Sequence, residues 1–149
     1  RSEMMRSLIA IAALAASVSA SAGSLDGKAI ICDRGEDDWL PSKFGFAFNE
    51  SEVFHHVISL RQLNPEVKIM VFSPQEYAEY LDSVRWGSTY RESYYLDRKT
   101  LVLTEELKGE SREFACKALP SWEALNEIME SVRADEQSKN DEVMQDNKI

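Results

Sequence analysis

Between residues 44 and 119 the chain repeats one kind of unit: a short run rich in aromatic and β-branched residues, then a cluster of turn-forming residues. Phe44, Phe46 and Phe48 alternate with Gly45 and Ala47. That is the period of a strand with one face buried, since successive side chains on a strand point to opposite faces. Asn49 to Glu52 reads as a turn, and Val53 to Leu60 as the returning strand. Further runs follow at 67–72, 83–86, 93–97, 101–107 and 113–119, with turns at 98–100 and 108–110. About seven short strands at this spacing predict an antiparallel meander curled into a small barrel or sandwich.

Two stretches stand apart from this cadence. Ser73, Pro74 and Glu76 match a helix start, with a capping hydroxyl, a first-turn proline and a glutamate closing the capping box. They predict a turn or two of helix over residues 74–80, although the same residues could continue as strand. At the other end Trp122, Leu125, Ile128, Met129 and Val132 fall on one helical stripe behind Ser121, a capping residue. This predicts an amphipathic helix over residues 120–133 that packs on a β-rich domain spanning 23–119. Residues 134–149, mostly charged and amide without apolar period, read as a disordered tail.

The amino-terminal stretch has the layout of a signal peptide. Arg6 precedes an apolar run from Leu8 to Ala16, and Ala20-Ser21-Ala22 offers a small-x-small cleavage site. The run is shorter than the roughly 20 residues a membrane-spanning helix needs, and Ser17, Ser19 and Ser21 dilute it. Residues 1–22 are therefore expected to be removed, with the cut after Ala22 or Ala20, and the mature domain to be periplasmic or secreted. In an oxidising compartment an isolated pair of cysteines, Cys32 and Cys116, most simply forms one disulfide. A redox-active pair would usually be closely spaced, as in C-x-x-C.

Charge narrows the partners. Removal of residues 1–22 takes away Arg1, Arg6 and Glu3 and leaves 15 basic and 25 acidic side chains, net −10. Such a surface repels phosphate backbones, so nucleic acid is excluded as a partner, and cations or basic proteins suit it better. No cofactor is implied, and a monomer that binds a protein or a small molecule is expected.

The ordered set "DGKAIIC", "FGFAFN", "VRW", "YYLDRKTLVL", a late cysteine and a terminal helical stretch ending "NKI" resembles a family of short exported proteins of open-ocean bacteria. The resemblance covers most of residues 25–149. It implies the fold and export, and no catalytic residues, because the family carries no assigned activity. This chain departs from the pattern in two places. The turn after the phenylalanine strand is "NESE", without the glycine of a "DNGK"-like turn, and position 47 is alanine where a larger aromatic is expected.

Candidate chemistry is sparse. His55 and His56 are the only histidines. As strand neighbours they face opposite ways and cannot readily chelate one metal, so one ring is expected toward the core or barrel mouth and one toward water. "DRGEDD" gathers Asp33, Glu36, Asp37 and Asp38, but not at the alternating spacing of a calcium loop, and reads as a solvated turn. The aromatic residues Trp86, Tyr90 and Tyr94 are the candidate binding surface, their rings offering apolar bodies with polar tips, although Trp86 and one of Tyr94 and Tyr95 are expected in the core of a small barrel. The leading expectation is a non-catalytic exported binding or envelope-accessory protein. An inhibitor of a basic, lysozyme-like cell-wall hydrolase is the alternative, and a hydrolase built on paired carboxylates is the third.

Overall fold

A computed structural model of the protein describes residues 25–35, 40–59, 65–88 and 91–149. These residues form nine strands and one long helix: β1 (Ala29–Asp33), β2 (Lys43–Asn49), β3 (Glu52–Ile58), β4 (Ile69–Val71), β5 (Gln75–Glu79), β6 (Ser83–Gly87), β7 (Ser93–Asp97), β8 (Val102–Leu107), β9 (Glu110–Leu119) and α1 (Trp122–Asp146). All pairings are antiparallel. Strands β1, β2, β3, β5, β6, β7, β8 and β9 follow one another around a closed barrel, with β9 returning to β1 and β4 added beside β3. The expected signal peptide and its cleavage site lie outside the described residues. Among the described residues no helix is long and apolar enough to cross a membrane.

The seam between first and last strands carries the disulfide. Cys32 faces Cys116 directly in the β1–β9 register, with Cα atoms 4.0 Å apart. The Cys116 N–H donates to the Leu101 carbonyl at 3.0 Å, on the side away from β1. The cysteines therefore form a non-hydrogen-bonded cross-strand pair, the kind whose side chains approach most closely.

Alternation along β2 separates two cores. Phe44, Phe46 and Phe48 point inward with Ile30, Val84, Leu96, Leu103 and Phe114, so the interior is filled by side chains. Ala47 points outward beneath α1, with Ala29 and Ile31 of β1 and with Leu125 and Met129 of the helix. The apolar run of β1 is thus buried on both faces. A Cβ added at Gly45 would overlap the Leu125 side chain and stand 2.9 Å from the Ile30 carbonyl oxygen. The small residues at 45 and 47 are what allow the helix to lie against this face of the sheet. That accounts for alanine at 47, a fully buried position.

Two expectations need correcting besides the strand count, which rises from about seven to nine with β1 and β5. Residues 75–79 are strand, not helix. Tyr77 pairs with Trp86, its N–H donates to the Ser51 carbonyl at 3.1 Å, and its ring meets Phe48 at 5.3 Å. Barrel closure needs a strand between β3 and β6, and that tertiary demand overrides the local capping pattern. The helix also does not end near residue 133; it continues to Asp146. Its second half is held by polar contacts rather than an apolar stripe. Gln137 accepts from the Val67 N–H at 2.8 Å and donates to the Pro65 carbonyl at 3.0 Å. Glu136 and Asn140 are buried, and Glu130–Arg133 and Glu136–Lys139 pair one turn apart. At its start the expected cap is in place, with Ser121 Oγ accepting from the Ala124 N–H at 3.0 Å.

The β2–β3 hairpin turns through Glu50 and Ser51 alone, with φ of 49° and 64°. Positive φ at both central residues makes this the mirror-image turn that suits strand twist, and it normally recruits Asn and Gly.

Candidate functional site

One row of cross-strand neighbours runs across the barrel wall: Tyr77, Trp86, Tyr94, Glu105 and Arg112 on β5 to β9. Residues directly opposite one another share a face, and this row faces inward. Trp86 and Tyr94 stack at 5.4 Å with 22° between their planes. The Tyr94 hydroxyl donates to Glu105 Oε2 at 3.1 Å, and Arg112 approaches the same carboxylate at 4.0 Å. The interior is therefore aromatic in its middle, and the row reaches solvent at Arg112 near the β8–β9 hairpin.

The wall opens beside this row. β3 pairs with β5 at only two positions, Glu52 with Glu76 and Val53 with Gln75. From His56 onward β3 pairs with β4 instead, so upper β3 and upper β6 separate. A cleft of about 380 Å³ occupies the gap. Val53, His55, Phe72, Ser73 and Gln75 form its β3–β4–β5 side, and Trp86, Arg91, Glu92 and Tyr94 its β6–β7 side.

His55 sits where these surfaces meet. It stacks on Phe46 at 4.3 Å and meets Phe72 edge-on at 5.5 Å and Tyr94 at 5.9 Å. Burial, reinforced by the charge of Arg34 and by His56, lowers its pKa to about 4, so the ring is neutral near pH 7. Burial also pushes the Tyr94 hydroxyl far up, with Glu105 adding to the effect. Four buried side-chain atoms have no hydrogen-bond partner among the described residues: His55 Nε2, His56 Nε2, Ser83 Oγ and Trp86 Nε1. Two of them, on His55 and Trp86, belong to cleft-lining residues.

A comparison with protein-family models, with curated proteins and with solved structures finds no match to this chain.

Of the three residues expected at a binding surface, Trp86 and Tyr94 lie side by side in the cleft wall, largely buried. Tyr90 lies outside the described residues. Sequence reasoning missed His55, Phe72 and Gln75 as neighbours of that pair, because only barrel closure brings residues of β3 against residues of β7. The expectation that one histidine faces water is corrected. His56 does point away from His55, but α1 covers that face, and the ring is fully buried against Trp122 at 5.3 Å. Its Nδ1 lies 2.9 Å from the Phe54 carbonyl oxygen. Among the described residues no group of three His, Cys, Asp or Glu side chains could hold a metal ion. Glu36, Asp37 and Asp38 of the acidic turn are not among those residues.

Proposed function

We propose that the protein is an exported, non-catalytic binding protein whose ligand enters the side cleft. One observation carries this reading. The barrel wall opens where it exposes an aromatic lining, and that lining includes two buried nitrogens without partners. A concave, mostly apolar site with a few unspent polar groups is the usual form of a small-molecule site. Leaving a buried polar group unpaired costs about 1–3 kcal/mol, so a ligand that pairs it recovers part of that cost.

Tuning of the same groups speaks against proton-transfer chemistry in the cleft. His55 with a pKa of about 4 is a weak base, and the Tyr94 hydroxyl is both a poor acid and already donated to Glu105. General acid–base catalysis favours groups whose pKa lies near the working pH. The inhibitor reading rests on net charge and on a small barrel closed by one disulfide, and export rests on the amino-terminal layout and the disulfide.

Native mass spectrometry of protein recovered after export from its own leader tests the proposal. A bound small molecule, lost on denaturation and absent from a Trp86→Phe/Phe72→Ala variant, is the expected result. A ligand retained by that variant would place binding elsewhere. Bare protein that binds nothing from a small-molecule extract of its own cells would refute the reading.

A further inference from the structure

We infer that the cleft takes an uncharged, planar heterocycle of one or two rings, stacked between the Phe72 side and the Trp86–Tyr94 pair. This rests on the cleft being the binding site. Size sets the first limit: about 380 Å³ lies near the lower end of small-molecule sites. Shape sets the second. The rings of His55, Phe72, Trp86 and Tyr94 line the opening, and aromatic walls favour a flat, stacking partner.

Charge sets the third limit. Arg91 and Glu92, consecutive in sequence, both line the cleft and offset each other. Deeper in, burial is the leading reason the His55 ring stays uncharged, and burial penalises a ligand charge of either sign. Hydrogen bonding sets the fourth. Trp86 Nε1 can only donate, whereas His55 Nε2 donates or accepts according to tautomer. A ligand edge with an acceptor beside a donor satisfies both, in the manner of an amide or a ring lactam. Both rings pack on Phe46, at 4.3 Å and 5.0 Å between centroids, and both line the cleft. Both nitrogens are shut off from solvent, so pairing them needs a side chain of the lining to move. Phe72 meets His55 at 5.5 Å, lies outside the barrel strands and is 46% exposed, so its ring can change rotamer and leave the barrel intact.

The test uses the full chain labelled with ¹⁵N-tryptophan, its indole signals assigned by replacing each tryptophan with phenylalanine in turn. Nicotinamide is the uncharged probe, benzoate the anionic one and benzylammonium the cationic one. Nicotinamide is expected to move the Trp86 indole N–H signal saturably, with the charged probes at least tenfold weaker. Phe72→Ala is expected to weaken nicotinamide at least threefold. A charged probe that saturates the Trp86 signal while nicotinamide does not would overturn the ligand class and leave the cleft as the site. No response at Trp86 to any probe would overturn both.

Discussion

Acidification should destabilise this protein through His55 before its carboxylates become involved. The ring has a pKa of about 4 in the fold against about 6.5 in an unfolded chain. As pH falls below 6.5 the unfolded chain takes up a proton that the folded chain refuses, so stability declines until both forms are protonated below about 4. The sign follows from linkage: stability falls with falling pH wherever the unfolded state binds more protons. The full interval is worth about 3 kcal/mol by that linkage, and roughly 2 kcal/mol of it is spent between pH 7 and pH 5. Partial exposure of the ring reduces the second figure to about 1–2 kcal/mol. His56, also lowered by burial, acts in the same direction. Urea unfolding with the disulfide intact, followed by tryptophan fluorescence at pH 7, 6 and 5, measures the loss. His55→Phe should remove most of the slope while keeping the stack on Phe46. A wild-type stability that does not change between pH 7 and pH 5 would refute the reasoning, as would a His55→Phe variant with the wild-type slope.

Four other perturbations address separate parts of the fold. Replacing both seam cysteines with serine frees an 84-residue loop and should cost roughly 4–5 kcal/mol by chain entropy, seen as a lower Tm by calorimetry. Gly45→Ala forces a methyl group against Leu125 and the Ile30 carbonyl. It should cost about 1–3 kcal/mol and raise amide hydrogen exchange in α1 ahead of the barrel. Glu50→Asn with Ser51→Gly relieves two residues of positive φ and should stabilise by about 0.5–1.5 kcal/mol in urea titrations. Asp97→Ala removes the carboxylate that accepts from the Lys99 and Thr100 N–H groups. Those bonds hold its pKa below the usual range, so NMR titration of Asp97 should show a depressed value, and the variant should loosen the β7–β8 turn.

The strands that could be read from sequence are those with a local signature. Phe44, Phe46 and Phe48 announce β2 by alternation, and Lys108-Gly109 announces the last hairpin. Ser73-Pro74 misleads because a capping pattern is a local preference, while the need for a wall between β3 and β6 is global. The second half of α1 escapes hydropathy for a related reason. What fixes it is the Gln137 amide reaching Pro65 and Val67 and the burial of Glu136 and Asn140, and polar side chains carry no apolar period. The cleft is the least legible part. Trp86 and Tyr94 announce themselves as amphipathic aromatics, but their juxtaposition comes from the β6–β7 register. His55 and Phe72 join them through the short β3–β5 pairing, a three-dimensional event without a sequence motif.

The position of the seam has a consequence for how the molecule comes into being. A chain emerging from its amino terminus delivers β1 and β2 first, but β1 finds its second neighbour only when β9 appears, more than 80 residues later. Such sequence-distant pairing is slow to form, and until then the lateral hydrogen-bonding groups of β1 are open to any other extended segment. Oxidation of Cys32 to Cys116 before β9 docks would require a chance encounter across the whole loop, whereas the assembled register holds the thiols together. The bond therefore acts as a latch set at the end of assembly, closing the line between first and last strands against reopening.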